Sequence, residues 1–78
     1  MERDPVAIAV AAERLQVPEG RIRVWGTRYR ARKAKVNGVV YWDYNDLSTI
    51  EAFVYRGEPV PKTPELRDAH RVQLQNAA

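Results

Sequence analysis

Three local signals predict a mainly helical chain with one small β-hairpin. Apolar residues recur at helical spacing in three successive segments, Asn37-Gly38 separates two short runs rich in strand-forming residues, and Pro or Gly punctuates the joints between segments. With 78 residues there is room for one domain. The absence of Cys excludes disulfides and thiolate metal sites, and the single His, His70, cannot build a metal centre alone.

Asp4-Pro5 can open the first helix, with Asp as N-cap and Pro at the first position, where its missing N–H costs nothing; a start near Ala7 serves equally. That helix is expected to run to about Gln16, with Ile8, Ala11, Ala12 and Leu15 on one face and Val6 and Val10 off it. Val17-Pro18 ends it, because the residue before Pro is pushed out of the α region, and Pro18 can begin a second helix running to about Tyr29. Ile22, Trp25 and Tyr29 form its inward stripe, with Gly26 allowing close backbone approach beside them. Arg23, Val24, Thr27 and Arg28 point the other way.

Asn-Gly tolerates the two positive φ angles of a type I′ turn, so strands are expected over about Arg32–Val36 and Val39–Asp43. Such a hairpin is unstable alone, and its apolar side must lean on the helices. Asp43 caps a third helix, with Asp46 in the capping position, Leu47, Ile50 and Val54 as its core stripe, Phe53 beside them and Gly57 as its stop. Glu58–Thr63 reads as a stiff, extended connector that holds a last, weakly amphipathic helix, starting at Thr63-Pro64 and reaching Leu74, away from the core. The expected division is therefore residues 1–57 as the domain and 58–78 as connector and C-terminal helix or tail.

The net charge of +3 conceals a concentration of positive charge: of 13 Lys and Arg, Arg21, Arg23, Arg28, Arg30, Arg32, Lys33 and Lys35 fall within one stretch, and no acidic residue interrupts Gly20–Trp42. The run passes from a helix into a hairpin, giving two neighbouring elements one sign and suiting a polyanion. A short helix, a tight turn, a second helix with a basic outer face, a basic two-stranded wing and a third helix together make a winged helix-turn-helix. The second helix is narrow enough for the major groove of DNA, and the wing suits a phosphate backbone or the adjacent minor groove.

Ala11-Ala12-Glu13-Arg14-Leu15-Gln16-Val17, Arg21-Ile22-Arg23-Val24-Trp25, the Asn37-Gly38 turn, Tyr41 and Asp46-Leu47 occur in this order. Over about residues 6–57 the chain thereby resembles the small MerR-like and excisionase-like DNA-binding domains. The family's usual Ser or Thr cap of the recognition helix is replaced by Pro18, and Gly20 weakens that helix by roughly 1 kcal/mol relative to Ala. The resemblance implies DNA binding, in a family that includes transcription regulators, recombination directionality factors and packaging proteins.

Arg23, Thr27 and Arg28 are the candidates for base edges, since Arg pairs bidentately with guanine and Thr meets a thymine methyl or donates through its hydroxyl. Arg21 is the expected phosphate clamp, and Arg30, Arg32, Lys33 and Lys35, with Asn37 at the tip, form the wing set. Trp25, Tyr29, Tyr41 and Trp42 are read as packing residues rather than base-stacking ones, and only one of Tyr41 and Trp42 needs to face out. His70 reads as a solvated helix residue, and Asp43, Asp46 and Glu51 as capping and surface groups. The expectation is therefore a cytoplasmic, non-enzymatic, sequence-specific binder of double-stranded DNA without cofactor, metal or membrane segment, its start lacking a signal peptide's basic region. It is expected to be a monomer or weak dimer in free solution that binds DNA cooperatively as two or more copies, with half-sites near one helical turn, through Val6 and Val10 or the segment Thr63–Leu74; residues 58–78 could also contact a protein. The alternative is a basic assembly module that docks RNA or an acidic protein, which would lose strength but not selectivity when Arg23 or Arg28 is changed.

Overall fold

The computed structural model describes residues 4–77, with side chains through Leu74. A strand β1 (Pro5–Ala7) leads into helix α1 (Ile8–Leu15) and helix α2 (Glu19–Arg28); β2 (Lys33–Val36) and β3 (Val39–Asp43) form a hairpin; α3 (Tyr44–Arg56) and α4 (Pro64–Ala77) complete the chain. The architecture is thus mainly helical, with a small antiparallel sheet ordered β1-β3-β2.

The first departure from expectation is β1. Asp4-Pro5 does not open a helix; Pro5–Ala7 pairs antiparallel with Asp43–Tyr41, and the Tyr44 N–H donates to the Asp4 carbonyl at 2.9 Å. Pairing places Val6 opposite Trp42 and buries it in the core, so Val6 is not a free assembly surface, whereas Val10 is exposed. Helix α1 starts at Ile8 without a side-chain cap and ends on Gln16, whose φ of 56° turns the chain left-handed while its N–H reaches the Ala12 and Glu13 carbonyls. Ala11 is buried from α1, with Ile8, Ala12 and Leu15 packed around it.

Pro18 caps α2 with extended backbone instead of forming its first turn. Ile22 and Trp25 enter the core, and Tyr29 lies half-buried against it. Gly26 is where α2 meets the sheet: a Cβ there would stand 2.7 Å from Cη2 of Trp42, far inside contact distance. The hairpin turn has φ of 52° at Asn37 and 80° at Gly38, as the type I′ expectation requires, and β2 starts at Lys33, one residue later than expected.

Asp43 caps α3, its carboxylate accepting from the N–H groups of Asn45 and Asp46. The core stripe of α3 is Leu47, Ile50 and Phe53; Val54 is exposed, because α4 packs on the Phe53 side of the helix. Gly57 ends α3 at φ of 70°.

The connector does not hold the last helix away from the core. The Thr63 hydroxyl caps α4 by accepting from the Leu66 N–H, and α4 lies along α3 with its Arg67 fully buried. His70 is half-buried rather than fully solvated, its ring 4.8 Å from that of Phe53. Asp46 is not a helix-capping or surface group either: its side chain is fully buried and receives Arg67. A buried arginine–aspartate pair thus ties α4 into the fold, and hydrophobic patterning alone does not reveal such a pair.

Candidate nucleic-acid interface

The outer side of α2 is built by subtraction. Ile22 and Trp25 turn inward, which leaves Arg21, Arg23, Val24, Thr27 and Arg28 exposed on the same short helix. Arg23, Val24, Thr27 and Arg28 line one shallow, open depression. The Thr27 hydroxyl donates to the Arg23 carbonyl at 3.4 Å, one turn back, keeping its methyl outward. Arg23 also donates to Glu19 at 3.3 Å across an exposed i, i+4 spacing, a contact weak enough to yield to a stronger anion. Arg21, Arg23, Thr27 and Arg28 thus all reach the surface expected of them.

Strand register decides where the hairpin's charge goes. Opposed residues of an antiparallel pair share a face, so Lys33 opposite Trp42 and Lys35 opposite Val40 lie on the Trp42 side of the sheet, the side that meets α2 at Gly26. The Lys33 ammonium stands 5.0 Å from the Trp42 ring centroid and flanks Gly26, so positive charge runs on from α2 into β2. Pro5, Ala34, Val36 and Tyr41, with Arg32, Lys33 and Asp43, line an open hollow on the other side. Tyr41 is thus the outward member of its pair, while Trp25 and Trp42 are buried and unavailable for stacking.

Arg30 is exposed in the link between α2 and β2, where its φ of 52° turns the chain, and Asn37 is exposed at the hairpin tip. Arg32 departs from its expected place in the wing set. Its guanidinium is mostly buried, donates to Asp68 of α4 at 2.7 Å and lies 3.9 Å from Glu65. Its backbone N–H donates to the Asp46 carboxylate at 2.9 Å, and its carbonyl accepts from the Asp43 N–H at 2.9 Å. Arg32 is a structural joint, and the exposed cations of the Arg21–Lys35 run are Arg21, Arg23, Arg28, Arg30, Lys33 and Lys35.

Behind that joint lies the buried pair. Arg67 donates to Asp46 through Nε at 2.5 Å and through a terminal nitrogen at 2.8 Å, and its other nitrogen donates to the Pro61 carbonyl at 2.8 Å. Burial pushes the Asp46 carboxyl up, but the Arg67 hydrogen bonds, the Arg32 N–H and the two guanidinium charges outweigh burial and hold it below the ordinary carboxylate range. Burial likewise disfavours the Arg32 cation, yet Asp68, with Asp46 and Glu65, raises its pKa above the usual value. Asp68 also accepts from Arg71, which donates on to the Thr49 hydroxyl at 2.7 Å. Reasoning from the sequence missed Asp46 and Arg67, because each looks like an ordinary surface charge until the two helices are packed.

Among the described residues no group of His, Asp or Glu could hold a metal ion, and no helix is long and apolar enough to cross a membrane. No protein-family model matches the chain, and no curated protein or solved structure shows significant similarity to it.

Proposed function

We propose that this protein binds double-stranded DNA in the manner of a winged helix-turn-helix, with α2 in the major groove and the β2–β3 hairpin as a wing on the backbone or minor groove. It would act through contact alone, as a small architectural factor or transcription regulator. The observation that carries this reading is the continuity of one surface: Arg23, Thr27 and Arg28 exposed on α2, and Lys33 and Lys35 on the sheet face that adjoins it.

The chemistry suits the division of labour between grooves and backbone. An Arg fork matches the two acceptors of guanine, and the Thr27 methyl with the exposed Val24 presents apolar contact to thymine methyls. Lysines and Arg21 add sequence-independent attraction to phosphates.

Selection from a pool of random duplexes, with sequencing of the retained fraction, tests the proposal. A short enriched motif is expected, and Arg28→Ala should relax preference at one or two of its positions. Retention without any enriched motif, or equal retention of RNA, would replace this reading with that of a basic docking module.

A further inference from the structure

We propose that Arg67 and the Asp46 carboxylate it grips are positioning residues for the hairpin: α4 sets the orientation of β2–β3 relative to α2 and thereby governs DNA binding without touching DNA. The functional half of this statement rests on the reading of α2 and the hairpin as one DNA-binding surface.

Between the end of α2 at Arg28 and the start of β2 at Lys33 the backbone turns through Arg30, a non-glycine residue at positive φ, and Arg32 then continues the β2–β3 ladder by accepting from the Asp43 N–H. Arg32 is therefore the residue at which the hairpin joins the link, and the contacts that hold it set the hairpin's angle together with Trp42 against Gly26 and the pairing of β1 with β3. Every polar group of Arg32 is held: the N–H by Asp46, the carbonyl by the Asp43 N–H, the guanidinium by Asp68 and Glu65.

Two of these holds come from α4. Asp68 and Glu65 act directly on the guanidinium, and Arg67 acts on the N–H through Asp46, whose two oxygens are oriented by its fork at 2.5 and 2.8 Å. A carboxylate that is bidentately gripped has little rotational freedom, so its second oxygen presents a fixed acceptor to the Arg32 N–H. Arg67 is itself anchored at Pro61, in the connector. The line Pro61, Arg67, Asp46, Arg32 thus links the segment after α3 to the root of the hairpin. Lys33, the next residue after Arg32, and Lys35 follow the orientation set there. A buried ion pair is a poor source of net stability but a good source of a single geometry, which is the use made of it here.

The test uses the full chain with Arg67→Lys, which keeps the charge and removes the fork, and Asp46→Asn, which keeps an acceptor for Arg32, as a second variant should the first not fold. The first readout is residual dipolar couplings by NMR. Both variants should retain the α2 and α3 couplings while those of residues 33–43 change relative to α2. Unchanged hairpin couplings in the folded variants would overturn positioning, whether or not the protein binds DNA.

The second readout is a double-mutant cycle on the selected duplex. Lys33→Ala with Lys35→Ala should weaken the wild type by about tenfold but the Arg67→Lys protein by threefold or less, whereas Arg28→Ala should cost the same in both backgrounds. Equal lysine costs in both backgrounds would show that Arg67 acts only on stability. Altered couplings in a protein that binds no duplex would instead refute the DNA-binding reading and leave the positioning intact.

Discussion

Gly26 shows how a single missing side chain decides the approach of two elements. Ala is the better helix former by roughly 1 kcal/mol, but a Cβ at this position would lie 2.7 and 2.9 Å from Trp42 ring atoms in a buried contact. Overpacking of this kind costs about 1–3 kcal/mol, so Gly26→Ala is expected to lower the urea midpoint despite its propensity gain. A raised midpoint would mean that Trp42 has room to move. Asp46 makes a second prediction. A carboxyl held below its unfolded value, about 3.9, stabilises the fold at pH above that value, and the contribution is lost as pH falls through the lower native pKa. Thermal melts between pH 2 and 6 should therefore show a steeper acid loss for the wild type than for Asp46→Asn. Parallel profiles would show that Asp46 is not the group responsible.

At the scale of elements, α2 and the hairpin divide the expected work, and their substitutions should separate it. The six exposed cations Arg21, Arg23, Arg28, Arg30, Lys33 and Lys35, with about five reaching phosphates, predict a slope of log K against log salt of about −4 to −5. Replacing Lys33 and Lys35 by Ala should reduce that slope by roughly 2 and weaken all duplexes alike. Binding isotherms at several salt concentrations check both numbers, and a wild-type slope near zero would exclude a phosphate-dominated interface. The turn that carries the lysines was legible residue by residue, since Asn37-Gly38 adopts the positive φ angles its type demands. The strand β1 was not: three residues carry no period, and Pro5–Ala7 becomes a strand only because the edge of β3 offers partners and a pocket for Val6.

For the whole molecule, α4 packs on α3 instead of being held away from the core, so the residues after the third helix contribute to the fold. Ending the chain at Gly57 would remove Arg67, with both of its hydrogen bonds to Asp46, and the Asp68 and Glu65 partners of Arg32. Loss of one partner of a buried pair costs about 3–5 kcal/mol, a large part of the stability of a small domain. The truncated chain is expected to melt well below the full one by circular dichroism, and an unchanged melting temperature would show that α4 is only appended. The same packing removes Arg32 from the cationic surface, because Asp68 and Glu65 reach it from α4. The charge available to a polyanion is therefore set by tertiary pairing as well as by composition.

Local chemistry in the sequence determined the inward residues Ala11, Ile22, Trp25, Leu47 and Ile50, the Gly57 stop, the hairpin and its register-defining turn, and the exposure of Arg23, Thr27 and Arg28. Each of these follows from a period or a φ requirement that acts over a few residues. Only the tertiary structure decided that Val6 pairs across the sheet, that Phe53 replaces Val54 in the core, that α4 docks, and that Arg32 and Arg67 are internal. Those outcomes depend on contacts between residues far apart in the chain. A lone Arg or Asp carries the same signal in sequence whether it ends in water or opposite its counter-ion, and the distinction arises when packing brings Asp46 and Arg67 together out of water.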